Sequence, residues 1–525
     1  MRARLIVLVL FAAGAAGAQT FYPDDPLAHE PPPLDASGVL KRKLSDIYAF
    51  AANTFWGPGD RSRSPAGAVN TLGEPMDGPW YTHRHYYNRM TPEQLALGPD
   101  GRTPPAGGPW IVVRAKTEGI MPGFTILDSA GRTYFMKLDP ESNLELATAA
   151  DAVTGRFFHA LGYWVPDQYI VYFKPDRLVI GKDVNIVDRY LNTTRKMTRR
   201  DLDEIFSKTR AYPDGRYRAL ASRAIPGEGA GPFRFHGTRT DDPNDIVPHE
   251  NRRDLRGLYV FCAWLEHGDS KSNNTYDTLI TGNGVRYLRH YLIDFGSTLG
   301  SASIGPKSPR TGNEPLFAWT PTFRNIFTAG LYVPEWMRYD YPDDPTVGRF
   351  ASATFNPAGW QPEYPNAAFH NRLPDDDFWA AKQVMAFSDE DIRAIVHAGD
   401  YSDPAAEAYI ARTLSERRDM IGRAFIEKVL PLDRFAVREN QLVFEDVGVK
   451  YGIVPSRRLN VTWSRFDNAT GARTPVQAAG FTVPEGAGEY WVADIAQEGD
   501  TRRTMSVYVR KRGNGAEVVG IDRRW

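Results

Sequence analysis

The chain has 525 residues, more than one hydrophobic core usually supports, so we expect two or three domains. Its hydrophobic content of 42% and charged content of 24% are those of a globular protein, and its 63 basic and 64 acidic residues nearly cancel. This balance excludes a protein drawn to nucleic acid or to an anionic membrane by net charge alone.

The N-terminus predicts a secretory signal over residues 1–18. Arg2 and Arg4 precede the apolar run LIVLVLFAAGAAGA, which is too short to span a bilayer, and Ala16-Gly17-Ala18 provides small residues for cleavage. An N-terminal anchor or a buried helix is the alternative. The single cysteine, Cys262, excludes an internal disulfide. No other apolar segment is long enough to cross a bilayer, so we expect a secreted or periplasmic protein without a membrane span after cleavage.

Residues 19–109 are rich in Pro, Gly and aromatics and predict an extension with one helical patch around VLKRKLSDIYAFAANTF. IVVRAK, GFTILDS and RTYFMKLD then predict three strands, the last two forming a hairpin. ESNLELATAADAVTGRFFHALG carries apolar residues at helical spacing and predicts a helix that ends at Gly162. QYIVYF and DRLVIG predict another strand pair.

Beyond Gly181 the pattern changes to helices and loops. The clearest helices are TRRDLDEIFSK, NRRDLRGLYVFCAWLEH, SDEDIRAIVHAG and PAAEAYIARTLSERRDMIGRAFIEKVL, with Ser388 and Ser402 as N-caps of the last two. From about Pro431 the segments NQLVFEDV, RLNVTWSRF, GEYWVADIA and RTMSVYVRKR predict strands separated by turn residues. These strands favour a small β-sandwich-like domain at the end of the chain.

One short polar run carries most of the chemistry. HGDSKSNNTYD, from His267 to Asp277, directly follows the apolar run LYVFCAWL. A nucleotide-dependent phosphoryl transfer needs metal ligands, cations on the phosphates and a carboxylate that orients the attacking hydroxyl. Asp269 is a candidate for that carboxylate, Lys271 for a contact with the γ-phosphate, and Asn274 for a neutral metal ligand. Asp294, in DFG after the predicted hairpin TYDTLITGNGVRYLRHYLI, offers a carboxylate at a strand end.

The sequence here resembles the protein-kinase-like superfamily over roughly residues 110–430. The resemblance rests on HGDSKSNN, on Asp294-Phe295-Gly296, and on Lys137 in YFMKLD of the third predicted strand. It implies that Lys137 holds the α- and β-phosphates of ATP, that Asp269 is the catalytic base, and that Asn274 and Asp294 bind magnesium. His267 would be a scaffold residue.

The resemblance also implies a carboxylate on the following helix that pairs with Lys137. Glu145 is the candidate we prefer, since Ala149 and Ala152 on its face would let the helix approach the sheet closely. Glu141 and Asp151 are the alternatives.

Departures from the family pattern are equally informative. No GxGxxG precedes Lys137, so the turn over the phosphates would have to be TEGIMPGF, with Gly119 and Gly123. No Ala-Pro-Glu follows DFG; only Val333-Pro334-Glu335 stands far downstream. The chain therefore looks more like atypical kinases, such as HipA-like and CotH-like kinases, than a signalling kinase. The HGD run also resembles that of aminoglycoside and choline phosphotransferases, which leaves the acceptor open.

Each of these residues also has a purely structural interpretation. Lys137 at a strand end is compatible with a solvated lysine, and Glu145, three residues after Ser142, with a capping box. Asp294 and Asn274 are compatible with turn positions. The scattered histidines form no pair spaced for zinc on a helix, and the sequence has no GxSxG or HExxH, which argues against zinc enzymes and the commonest hydrolases.

The sequence thus predicts an α+β, bilobal protein-kinase-like fold. The expected segments are an extension over 19–109, a β-rich small lobe over 110–181, a helical large lobe over 182–430 and a β-domain over 431–525. The expected activity is transfer of the γ-phosphate of ATP, with Mg²⁺, to a hydroxyl of a protein or peptide. A small-molecule or sugar acceptor, transfer of AMP, and a non-catalytic pseudokinase in the cell envelope are the alternatives. We expect no nucleic-acid partner.

Overall fold

The computed structural model describes residues 19–115, 121–188, 193–513 and 515–525. The predicted signal, residues 1–18, and Gly119 lie outside the described residues. Helices and strands occur in comparable amounts, so the mixed α and β class predicted from the sequence is confirmed. Among the described residues, no helix combines the length and apolar character needed to span a bilayer.

The described strands run, in chain order, as follows: β1 Trp110–Ala115, β2 Gly123–Leu127, β3 Thr133–Lys137, β4 Gln168–Phe173, β5 Leu178–Ile180, β6 Asn185–Asp188, β7 Thr193–Lys196, β8 Tyr217–Arg223, β9 Glu228–Gly231, β10 Thr275–Gly282, β11 Val285–Leu292, β12 Leu432–Arg438, β13 Gln441–Asp446, β14 Leu459–Phe466, β15 Arg473–Val476, β16 Tyr490–Gln497, β17 Thr504–Arg512 and β18 Gly515–Arg524.

The described α-helices are α1 Asp46–Ala51, α2 Pro92–Leu97, α3 Leu146–Ala160, α4 Arg199–Phe206, α5 Arg253–Leu265, α6 Trp319–Phe327, α7 Ala367–Asn371, α8 Pro374–Val384, α9 Asp389–His397, α10 Pro404–Phe425 and α11 Val447–Lys450. A π-helical turn, Ala52–Trp56, continues α1. Ser388 caps α9 as predicted, whereas α10 is capped by Asp403 rather than Ser402, because Pro404 occupies the first helical position.

A six-stranded sheet in the order β4-β8-β3-β2-β1-β5 corrects one predicted strand pairing. QYIVYF and DRLVIG form β4 and β5 but do not pair with each other; they lie at opposite edges, since β8 pairs with β4 and β1 pairs with β5. The sheet also includes β8, so its strands reach Arg223, beyond Gly181. The predicted β2–β3 hairpin is present, with Gly123 opposite Lys137.

Helix α3 is fixed to this sheet at its N-terminus. The Asp139 carboxylate accepts hydrogen bonds from the backbone N–H groups of Glu145, Ala147 and Thr148, and so satisfies donors that a helix start leaves without partners. Arg218 of β8 donates to the Thr148 hydroxyl at 3.0 Å. The register of α3 against β8 is therefore set by buried polar contacts.

The largest hydrophobic core lies among the helices. It contains buried residues of α3, α5, α8, α9 and α10, together with Trp80 and Tyr81 of the N-terminal extension. Every residue of α5 is buried, which explains the continuous apolar run LYVFCAWL. The polar run that starts at His267 begins just after this buried helix ends, so the core fixes the position of the run.

The last 95 or so residues form a β-domain with two sheets around one core. The five-stranded sheet has the order β15-β14-β16-β17-β18, and the β12–β13 hairpin adds Leu432 and Leu442 to the same hydrophobic cluster. Phe21, near the start of the described chain, packs against Phe466, Tyr490 and Tyr508 of this domain. The extension thus contacts both the helical core and the terminal domain.

Candidate active site

Two of the predicted site residues meet directly. Lys137, the last residue of β3, donates from Nζ to the Asp294 carboxylate at 2.6 Å. Asp294 follows β11 after one residue and has φ +64°, a left-handed conformation that turns the chain out of the strand. The two residues are 157 positions apart in the sequence, so their contact depends on the whole fold between them.

The carboxylate that pairs with Lys137 from α3 is Asp151, which corrects the choice of Glu145. The Asp151 Oδ2 atom accepts from Lys137 Nζ at 2.6 Å. Glu145 instead accepts from the Tyr212 hydroxyl at 2.6 Å and from the Ser402 backbone N–H at 2.8 Å. Glu145 precedes the first helical residue, whereas Asp151 lies in the second turn, where the helix passes the end of β3.

The ammonium of Lys137 stays charged in this setting. Burial alone would lower its pKa, but the carboxylates of Asp151 and Asp294 overcome that effect and raise the pKa above its usual value. Lys137 is therefore a fixed cation at the end of the six-stranded sheet.

The loop that follows α5 brings Asp269 and Asn274 together. The Asn274 side-chain amide donates to the Asp269 backbone carbonyl at 2.7 Å and to its carboxylate at 3.0 Å. The backbone N–H of Ile293 donates to the Asn274 carbonyl at 3.0 Å. This last bond places the Asp269–Asn274 loop beside Asp294, which Lys137 contacts.

Asp269 has a raised pKa. Burial is the main cause, and Glu363 adds to it, while the neighbouring Lys271 ammonium acts in the opposite direction. A carboxylate with a raised pKa is a better proton acceptor than an exposed aspartate, which is the property that a general base requires.

His267 and Phe295 form an aromatic support below the loop. Phe295 stacks on Phe158 of α3 with ring centroids 5.1 Å apart, and the His267 ring lies 5.9 Å from that of Phe295. Burial, followed by the nearby Lys307 ammonium, lowers the pKa of His267 to about 3. His267 is therefore a neutral packing residue, which agrees with the scaffold role that the resemblance implies.

Lys307 and Glu363 hold the same loop from the other side. Lys307 Nζ donates to the Glu266 carbonyl at 3.2 Å and to the Glu363 carboxylate at 3.3 Å. The backbone N–H of Glu363 donates to the Gly268 carbonyl at 2.9 Å. A Cβ at Gly268 would lie 3.1 Å from the Glu363 carboxylate, so this close approach favours glycine.

Lys271 contacts carboxylates on two sides. Its Nζ lies 3.1 Å from Asp269 and 3.1 Å from Asp46 of α1, and 4.7 Å from the centre of the Tyr364 ring. The carboxylates raise its pKa although burial opposes this. Helix α1 of the N-terminal extension is thus part of the wall of the site.

The donors present suit a hard divalent cation. Asp294 offers a half-exposed carboxylate, and Asn274 an amide oxygen, since its contacts with Asp269 use the nitrogen. Within the described ranges, no three His, Cys, Asp or Glu side chains converge as a metal cluster. A magnesium ion at this position would depend on nucleotide phosphates for further oxygen ligands.

Sequence reasoning missed several contributors. Asp151 was only an alternative, although it is the one acidic residue inside α3, a position whose neighbours are apolar or small. That isolated charge was a usable signal. Asp46, Lys307 and Glu363 gave no comparable signal, because each reaches the loop from a distant segment.

Comparisons with known proteins add little to this geometry. No protein-family model matches the chain, and no curated protein matches it. A solved structure described as the crystal structure of the golgi casein kinase is similar over 76% of this chain and 95% of its own, with 9% identity and a TM-score of 0.28. This likeness supports no residue assignment.

Proposed function

We propose that the protein is an atypical, secreted kinase that uses MgATP to phosphorylate a hydroxyl group of a protein or peptide. The observation that carries the proposal is the convergence of Lys137, Asp294 and the Asp269–Asn274 pair from three separate segments. Clusters of ionisable groups with shifted pKa values, as at Lys137 and Asp269, occur often at functional sites, which supports the proposal.

In the proposed reaction the acceptor O–H gives its proton to the Asp269 carboxylate as its oxygen bonds to the γ-phosphorus. The bond between that phosphorus and the bridging oxygen breaks, and ADP leaves. Lys137, oriented by Asp151, would hold the α- and β-phosphates, and Lys271 would face the γ-phosphate. Asn274 and Asp294 would hold magnesium, which neutralises phosphate charge when bound.

Nucleotide binding is the first test. We expect MgATP to raise the melting temperature of the wild type by several degrees, and Asp294→Ala to abolish the rise. Lys174→Met, a change at a lysine outside the site, is the control and should keep it. If MgATP does not shift the melting temperature of the wild type, the result favours the non-catalytic pseudokinase over the kinase.

Phosphate transfer is the second test. With labelled ATP and a set of protein, peptide and sugar acceptors, Asp269→Asn should transfer about 100-fold less label than the wild type while its MgATP shift persists. Equal transfer by both proteins would contradict the role of Asp269. Mass spectrometry of the product distinguishes phosphate from AMP.

A further inference from the structure

One region of the surface is strongly apolar. Among the exposed large hydrophobic side chains, a cluster comes from α1, the π-helical turn after it, and α6; we call these residues the aromatic face: Ile47, Tyr48, Phe55, Trp56, Trp319, Phe323, Ile326 and Phe327. Neither of the two helices nor the π-helical turn has a buried residue. The exposed fraction of the side chain is 73% at Trp56 and 85% at Phe327. Contiguous exposed apolar side chains of this kind mark interaction surfaces, whereas single ones do not.

The π-helical turn that continues α1 and helix α6 are joined by ring contacts. The rings of Phe55 and Phe317 lie 5.4 Å apart, and Phe317 continues to Trp319 at 5.0 Å. Trp319 then stacks on Phe323 at 5.6 Å. Aromatic contacts therefore run without a break from the N-terminal extension to α6.

Positively charged residues precede and follow α1 and its π-helical turn in the sequence. Lys41, Lys43, Arg61 and Arg63 are all exposed, on either side of α1 and its π-helical turn, and none of them forms an ion pair with a described residue. Of the two carboxylates in the same stretch, Asp46 pairs with Lys271, whereas Asp60, which accepts from the Ser62 hydroxyl at 2.7 Å, keeps its negative charge; the four basic residues outnumber it. The one charged residue of α6, Arg324, pairs with Glu314.

We propose that the aromatic face docks on a lipid bilayer whose surface carries anionic headgroups. Trp, Phe and Ile side chains that project from short helices suit insertion into the headgroup boundary, where aromatic rings are enriched. The exposed lysines and arginines before and after α1 and its π-helical turn complement anionic lipid. The near-zero net charge of the chain does not oppose this, since only charges within a Debye length of the surface act.

The test is co-sedimentation with vesicles, using protein secreted by the expression host, with intact mass showing that every variant has the same N-terminus. The wild type should bind vesicles of phosphatidylcholine with 30% phosphatidylglycerol, and Trp56→Ser/Phe327→Ser should bind about tenfold less. The matched control is Val179→Ser/Ile246→Ser, which removes two exposed apolar side chains elsewhere and should bind as the wild type does.

Charge is tested separately. Replacing Lys41, Lys43, Arg61 and Arg63 by Gln should remove the preference for anionic over neutral vesicles and the sensitivity of binding to salt. If the first variant is poorly folded by near-UV circular dichroism, Ile47→Ser/Ile326→Ser replaces it.

Failure of the wild type to bind either vesicle overturns the proposal, as does equal binding by wild type and both aromatic-face variants. A dimer in light scattering that dissociates in Trp56→Ser/Phe327→Ser, without vesicle binding, would assign the face to a second copy instead. None of these readouts depends on kinase activity.

Discussion

Asp151 joins four parts of the molecule through one carboxylate. Its Oδ2 atom accepts from Lys137, while Oδ1 accepts from the Gln168 side chain at 2.5 Å and from the Phe295 backbone N–H at 3.0 Å. β3, α3, β4 and the Asp294 loop therefore share one buried acceptor. We therefore expect a substitution of Asp151 to change the orientation of both Lys137 and the Asp294 loop.

Asp151→Asn should lower the affinity for MgATP about tenfold or more, because the amide removes the charge that orients Lys137. Glu145→Gln is the matched control and should change the affinity less than about twofold, since Glu145 contacts Tyr212 and Ser402 instead. Calorimetric titration measures both. The reverse ranking of the two variants would restore Glu145 as the partner of Lys137.

His267 predicts a pH dependence of stability. Its pKa in the folded protein is about 3, against a usual value of 6.5. As the pH falls, His267 therefore binds a proton in the unfolded chain at a higher pH than in the folded protein. Stability from the neutral ring is present above pH 6.5 and is lost progressively down to pH 3. Its charged neighbours are Lys307, Asp294 and Glu363.

His267→Phe removes this titration and keeps the aromatic packing. Between pH 7 and pH 5 the free energy of unfolding of the wild type should fall by about 2 kcal/mol more than that of the variant. Urea unfolding at both pH values measures the difference. Parallel losses in the two proteins would show that His267 is not held neutral.

At the level of elements, the start of α3 decides where Asp151 lies. The helix has no capping side chain at the residue before it; Asp139, seven positions before Leu146, takes that role from the end of β3. The capping box of Ser142 and Glu145, the structural alternative for Glu145, is not formed: Ser142 donates to the Asn143 side chain, and Glu145 has φ +72°.

Asp139→Asn should lower the free energy of unfolding by about 2 kcal/mol. The neutral amide is a weaker acceptor than the buried carboxylate, which accepts hydrogen bonds from three N–H groups at the start of α3. The control is Ser388→Ala, which removes a more exposed cap of α9 and should cost about 1 kcal/mol. Urea unfolding compares them. An Asp139→Asn effect smaller than that of Ser388→Ala would contradict the role of Asp139.

The sequence predicts an element well when the pattern that specifies it lies within that element's own residues. α5 has a long apolar run, α9 has apolar periodicity and the N-cap Ser388, and the β2–β3 hairpin has Ala130-Gly131 at its turn, so the sequence predicts them well. The position of β8 between β3 and β4 depends on pairing between strands about 50 to 85 residues apart, which no local pattern reports. The missed contacts Asp46–Lys271 and Lys307–Glu363 have the same origin.

At the scale of the whole molecule, a buried ionic cluster connects the extension, the helical core and the terminal domain. Lys382 of α8 donates to Asp433 of β12 at 2.8 Å and to Glu74 of the extension. The Tyr86 hydroxyl also donates to Asp433. Lys382 is almost fully buried, so these regions are joined through a charge that has no access to water.

Lys382→Met should lower the free energy of unfolding by about 3 kcal/mol, because Asp433 and Glu74 would lose their buried partner. Lys428→Met, which removes a partly exposed ion pair with Asp377, should cost less than about 1 kcal/mol. Denaturant unfolding of both variants provides the comparison. Equal small losses would mean that the cluster contributes no more than a surface pair.

The packing of Phe21 into the last sheet bears on the order in which the protein matures. The backbone carbonyl of Tyr22 accepts a hydrogen bond from Arg510, 488 positions later in the sequence. At roughly 5 to 20 residues per second, the ribosome needs about half a minute to a minute and a half to make that stretch. During this time the first segment has no docking surface, so a chain stopped before its final strands would leave that segment accessible to proteases and chaperones.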